Sequence, residues 1–229
     1  MLKYLPNFFT LLNLASGSLG AILALKGNLT GAASCIWLGA FFDFLDGWLA
    51  RVLDVRSPLG GQLDSLADLV TFGCLPANIM YALLSEHTTS PYLPFTAIIV
   101  TGFSALRLAR FNVDNRQKDV FLGLPVPANG IFIGTLPLII AANRCTWLTS
   151  LLVQPYILVV LVILTSCLLV ANIKLMAFKF VTYAWHPNRF KYGFLLTASL
   201  LVLLFRAEGL ALSIVLYVLV SIVSVSRQE

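Results

Sequence analysis

An all-α, polytopic membrane bundle is the fold class this sequence predicts, on three observations. The mean hydropathy is +0.91. Only 11% of residues are charged, where soluble domains carry about 25%. Apolar stretches of roughly spanning length recur from end to end of the 229 residues, as a helix crossing a hydrocarbon core requires. No long linker, low-complexity tract or internal repeat separates them, so residues 1–229 read as one domain.

Eight helices are expected, six core spans and a C-terminal pair. Residues 8–25 carry no charge and exceed a usual signal-peptide core, so they are expected to remain as a span. Thr10, Asn13 and Gly17 recur there on one face, a pattern that suits packing through small and polar residues. The second helix, 32–53, runs to Arg51, and the turn Asp54, Val55, Arg56, Ser57 and Pro58 leads into the third, 62–84. The fourth, 93–113, carries Arg107 and Arg110 in its last turns; 128–143 and the charge-free 156–173 follow. Residues 191–205 are short for a span, and 209–226 begin after only Arg206, Ala207 and Glu208, which predicts a tilted or re-entrant pair.

Sidedness follows from the Lys and Arg distribution along an alternating path. One side collects Lys3, Arg51, Arg56, Arg107, Arg110, Arg116, Lys118, Lys174, Lys179, Arg189, Lys191 and Arg227; the other collects Lys26, Arg144 and Arg206. The rich side is expected to be cytoplasmic, with both termini and the polar connections near 113–127 and 175–190. The net charge of +5 is then a topology signal and an attraction to anionic headgroups, with no nucleic-acid partner implied. Cys35, Cys74, Cys145 and Cys167 lack paired spacing, so neither a disulfide framework nor a zinc site is expected.

Against this apolar background stand four carboxylates. A charged Asp at membrane depth costs about 3 kcal/mol or more, which makes such a cluster a functional-site hypothesis. Asp43 and Asp46 are three apart and Asp64 and Asp68 four apart, so each pair shares one helix face. Gly47 and Ala50 lie on the first acidic face and Gly60 on the second, which leaves room for a ligand. With Arg51 alone nearby, three negative charges remain unbalanced; protonation or bound cations must offset them. An all-oxygen donor set suits Mg²⁺, Mn²⁺ or Ca²⁺. Two such ions would bring the site to a net charge of plus one, suited to a diphosphate and to two-metal phosphoryl transfer.

The run from Asp46 to Asp68, D-G-x-x-A-R and, eight residues later, G-x-x-x-D-x-x-x-D, resembles the signature of the CDP-alcohol phosphotransferases. Every position of it is present. Further stretches resemble the phosphatidylserine synthase branch: Pro6-Asn7, Thr10-x-x-Asn13-x-x-x-Gly17, Phe72-Gly73-x-x-Pro76-Ala77, the run Ala105 to Asn112, and Gly123-Leu124-Pro125-x-Pro127-Ala128. This resemblance implies attack of the L-serine hydroxyl on CDP-diacylglycerol, giving phosphatidylserine and CMP. It implies a magnesium or manganese pair held by Asp43, Asp46, Asp64 and Asp68, with Asp64 and Asp68 catalytic and Asp68 the general base. It also implies contacts to the CDP moiety from Asn13, Asp46, Gly47, Ala50, Arg51 and Gly60. Membrane lipids are the surroundings, and a homodimer is the assembly that family members suggest.

Serine recognition needs a cation for its carboxylate, for which Arg107 and Arg110, one turn apart, are candidates; Lys118 and Asn112 are further ones. The competing explanation for both arginines is the positive-inside bias. Arg51 is either a site residue, as a phosphate ligand or by holding carboxylates, or a topology charge. His87 and His186 flank loops and need no chemistry. Three rival functions stand beside serine transfer. A sibling enzyme would use glycerol 3-phosphate or an inositol phosphate. A divalent cation transporter would explain the aspartates but not Gly47, Ala50 and Gly60. A non-catalytic scaffold would be destabilised by its own unliganded acids.

Overall fold

The computed structural model describes residues 4–55, 57–113, 120–176 and 185–226. Lys3, Arg56, Arg116, Lys118, Lys179 and Arg227 of the charge pattern lie outside the described residues, as does the side chain of His186.

Local signals set the helix starts. Helix α1 (Leu5–Leu25) has Pro6 in its first turn, where a missing N–H costs nothing. Helix α2 (Leu29–Val52) is capped by Asn28, whose Oδ1 accepts from the Gly31 N–H at 2.9 Å. The following turn passes through Asp54 at φ 50°, a left-handed conformation that Asp tolerates. Ser57 then caps α3 (Pro58–Asp68), its Oγ accepting from the Gly60 N–H at 3.0 Å, with Pro58 at the helix start.

After Asp68 the rod does not stop. A π-helical turn, Leu69–Cys74, joins α3 to α4 (Leu75–His87), so that residues 58–87 form one apolar helical rod, the most buried of the chain's long helices. Such wide turns insert an extra residue per turn and occur often at functional sites. Here the turn brings Thr71 against α1, where its Oγ1 donates to the Asn13 carbonyl at 2.9 Å. Gly17 makes that approach possible, since a Cβ there would overlap the Thr71 side chain and backbone.

A 3₁₀ turn, Leu93–Ala97, leads into α5 (Ile98–Val113), followed by α6 (Val126–Ala142), the short α7 (Thr146–Leu152) and α8 (Pro155–Val170). Helices α9 (Trp185–Phe205) and α10 (Ala207–Ser226) form a tight hairpin through Arg206 at φ 51°. At Gly209 a Cβ would run into the Leu201 carbonyl. The core gathers on the central rod, with Phe72, Leu75, Ile79, Met80, Leu83 and Leu84 packed against Ile36, Ile133, Leu136 and Leu158. Outward lie exposed apolar side chains such as Leu19, Ile22, Phe41, Phe44, Leu196 and Leu203, the inverse of a soluble surface and the expected face toward lipid.

Each of the eight expected stretches is helical among the described residues, and α7 is an added short helix. Four rods are long and apolar enough to cross a membrane: Leu5–Leu25, Leu29–Val52, Pro58–His87 and Leu93–Val113. The α7–α8 pair, bent by 76°, makes a fifth if taken as one span, while α6 and the apolar parts of α9 and α10 are shorter. The chain is an all-α integral membrane protein. One small feature was not expected: strands β1 (Val120–Leu122) and β2 (Lys174–Met176) pair antiparallel, Phe121 opposite Leu175. This ribbon ties together the two polar connections, which therefore emerge at the same end of the bundle.

Candidate active site

Helices α2 and α3 bring their acidic faces together. One carboxylate oxygen from each of Asp43, Asp64 and Asp68 falls within 4.8 Å of the others. Helical spacing puts each pair on one face, and the capped turn between Val52 and Pro58 folds the two faces toward each other. Asp46 stands outside this triad of oxygens; it is buried and lines a neighbouring cavity with Asp64. The four acids thus divide into a tight three and a flanking one.

Three oxygens in and beside the cluster, Asp46 Oδ2, Asp64 Oδ1 and Asn13 Oδ1, are buried with no hydrogen-bond partner. Buried acceptors normally find donors, and no described Lys or Arg side chain bonds them. An all-oxygen set of this kind, partly unsatisfied and rich in negative charge, fits a hard divalent cation.

Two cavities flank the triad and share Asp64 and Gly61. The first, about 260 Å³, is lined by Thr10, Asp46, Gly47, Ala50, Ser57 and Gly60 among others. Its walls are small. A Cβ at Gly47 would meet nothing within 4 Å, so the fold leaves open space at this point of the cavity wall. The second, about 350 Å³, is lined by Ser65, Asp68, Arg107, Asn112, Pro125 and Pro127 among others. Across its rim Asn112 Nδ2 donates to Ser65 Oγ at 2.9 Å, joining α5 to α3.

The single face of α1 turns out to do three things. Thr10 lines the first cavity, Gly17 packs on Thr71, and Asn13, fully buried, donates through Nδ2 to Asp68 Oδ1 at 3.2 Å. Asn13 therefore touches the acidic cluster and is not among the described residues lining the first cavity. Arg51 is exposed and bends back along its own helix, with Nε donating to the Gly47 carbonyl at 2.8 Å. Its Nε thus holds the backbone of its own helix, beside the first cavity.

The two arginines of α5 are also distinguished. Arg107 is 4% exposed, faces the chamber holding Asp64 and Asp68, and sits 5.5 Å over the Phe111 ring. Arg110 is exposed, and its Nη1 donates to the Val170 carbonyl at 3.1 Å, at the end of α8. Both line an outer cavity of about 680 Å³ that reaches Ala171 and Asn172. Gly61 and Ser65 were passed over by sequence reasoning, although each adjoins a signature position. Their role depends on which way α3 faces, and no local pattern marks it.

Residues 3–166 match the family model described as CDP-alcohol phosphatidyltransferase. The chain is 34% identical over 155 residues to the CDP-diacylglycerol–serine O-phosphatidyltransferase of Bacillus subtilis, covering 63% of this chain and 84% of that protein. It is 31% identical over 199 residues to the protein of the same name from Methanocaldococcus jannaschii, covering 86% and 83%. With the archaetidylserine synthase of Methanothermobacter thermautotrophicus it shares 35% identity over 134 residues, covering 57% of this chain and 56%, little more than half, of that relative.

Proposed function

Because the chain belongs to the CDP-alcohol phosphatidyltransferase family, we propose that it transfers the phosphatidyl group of CDP-diacylglycerol to the hydroxyl of L-serine, giving phosphatidylserine and CMP. The observation that carries this reading is the placing of the acidic triad between two cavities that share Asp64. A transferase needs donor and acceptor on opposite sides of the reacting phosphorus. The small-walled cavity suits the nucleotide and the Arg107 chamber the amino-acid acceptor. The names of all three relatives carry serine.

In this reading Gly47, Ala50 and Gly60 admit the CDP moiety closely, and Arg51 braces the α2 backbone at Gly47. Asn13 fixes Asp68 by holding Oδ1, leaving Oδ2 to take the proton of the serine hydroxyl as it attacks the β-phosphorus. Asp43, Asp46, Asp64 and Asp68 would hold two divalent cations, magnesium or manganese, whose charge when bound stabilises the diphosphate and the departing CMP. Arg107 receives the serine carboxylate in a bidentate pair, with Arg110 at the outer rim. Closeness of acceptor and donor then supplies much of the rate. The same reading takes residues 1–229 as one catalytic domain working as a homodimer, with the site and both termini facing the cytoplasm.

Purified protein given labelled serine and CDP-diacylglycerol should release CMP and form phosphatidylserine with magnesium or manganese present, and neither with chelator. CMP release with glycerol 3-phosphate or an inositol phosphate, and none with serine, would overturn the acceptor. Divalent cation flux in vesicles without CMP release would overturn the enzyme.

The nucleotide cavity supports a separate prediction. Gly47→Val should raise the KM for CDP-diacylglycerol by about ten-fold or more through lost volume, while the melting temperature changes little, because a Cβ at this position meets no protein neighbour within 4 Å. Titration calorimetry with CMP and a thermal melt check the two halves independently.

A further inference from the structure

Arg107 stands in a wall shared by two cavities. On one side is the chamber of Asp64 and Asp68, and on the other is the outer cavity of about 680 Å³, which Arg110 lines as well. None of the described residues lining the outer cavity is acidic. Arg107 is buried, yet its Nε has no hydrogen-bond partner. Arg110 gives one N–H to the Val170 carbonyl at 3.1 Å, and a guanidinium carries five donors. Two positive groups with donor capacity to spare, in a cavity without a counter-charge, call for an anion.

The outward face of α5 says which kind. Leu106, Ala109, Arg110 and Val113 follow one another at three, four and seven residues and are all exposed, so they form one stripe along the helix. Leu106 is 52% and Val113 82% exposed. Apart from Arg110 the stripe is apolar, as a lipid-facing surface must be. It ends level with the active site, because Asn112 of the same helix end bonds Ser65 of α3, and Leu122 of the ribbon closes the cavity beside it. An arginine set among apolar side chains at the end of a span meets phosphate at the depth where headgroups lie, with acyl chains able to run along Leu106.

We propose that the outer cavity binds the headgroup of an anionic phospholipid, whose phosphate takes Arg110 and the outer side of Arg107 and so competes with the acceptor for the Arg107 charge. Its effect on turnover rests on the reading that Arg107 binds the acceptor. One guanidinium then serves two anions on opposite sides of the wall, and each weakens the other's binding by the same factor. Phosphatidylserine is itself an anionic phospholipid, so accumulating product would slow the loading of the next acceptor.

The test compares vesicles of phosphatidylcholine alone with vesicles in which phosphatidylglycerol replaces part of it, at fixed free metal and with whichever acceptor the wild-type protein turns over. Phosphatidylglycerol should raise the KM for the acceptor about ten-fold, the scale for weakening one hydrogen-bonded charge, with kcat at saturating acceptor little changed. Ala109→Phe fills the outer cavity from an exposed position, and Asn172→Asp adds a negative charge to it at constant size; neither residue lines the chamber. Both variants should keep the wild-type KM in phosphatidylcholine and lose most of the rise, whereas the surface potential of the vesicle acts on all three proteins alike. Native mass spectrometry should show phosphatidylglycerol retained by the wild type and lost from both variants. Equal retention and an equal rise in all three proteins would overturn the proposal. So would inorganic phosphate in phosphatidylcholine vesicles reproducing the rise while phosphatidylglycerol does not, since the ligand would then be a free anion. Lipid retained only by the wild type, with no change in KM, would uphold the lipid site and overturn the assignment of Arg107 to the acceptor.

Discussion

Asp64→Asn is expected to lower kcat at least about 10³-fold, the scale on which loss of a preorganised charge at a reacting centre is felt. Asp64 contributes to the triad of oxygens and lines both flanking cavities. No other acid in the cluster lies in the wall of each. Asn keeps the shape and removes the charge, so the protein should remain foldable and inserted. Its melting temperature without added metal should be unchanged or higher, since crowded buried carboxylates repel one another. Stabilisation by added magnesium or manganese should shrink together with turnover, because a ligand that binds only the folded state raises its stability in proportion to occupancy. A variant with a near-normal rate and an intact metal-dependent shift in melting would falsify the assignment of Asp64 as a ligand.

Arg107→Lys comes second in expected size. It should raise the KM for serine by about 10- to 100-fold, since a lysine supplies the charge but not the bidentate fork. The KM for CDP-diacylglycerol should hold, the nucleotide cavity being lined from α1, α2 and α3. Arg110→Lys should have a much smaller effect, because that side chain is exposed and already bonded to the Val170 carbonyl. Steady-state kinetics with each substrate varied in turn will rank the two. If Arg110→Lys were the more damaging, the acceptor would have to sit in the outer cavity around Ala171 and Asn172, and the chamber beside Asp68 would lose its role.

The rank of these two arginines shows where the sequence stops informing. Both lie three apart near the end of one helix, and both satisfy the positive-inside pattern equally well. Burial separates them, and burial depends on how α8, the π-helical turn, α4 and α6 pack around α5. Asn13 is a similar case. Its place beside Thr10 and Gly17 on one face was legible, yet those residues meet three different partners because α2 and successive parts of the α3–α4 rod pack along α1. The π-helical turn after Asp68 and the ribbon between β1 and β2 left no readable trace, since a run of apolar residues carries the same pattern through either kind of helix and three-residue strands are too short for a period to show.

What the sequence determined by itself is the membrane-embedded helical class, the pairing of acids on two adjacent helix faces, and the small residues beside them. Those features are local: hydropathy, the 3.6-residue period and the Ser57-Pro58 cap act within a few residues, and the turn at 53–57 is too short to let α2 and α3 face elsewhere. Only the tertiary structure decided that Asp43, Asp64 and Asp68 form the tight set with Asp46 beside it, and that Arg107 and not Arg110 faces them. Each of those depends on how helices distant in sequence rotate about their own axes as they pack, an angle set by the fit of many side chains at once and encoded by none of them singly.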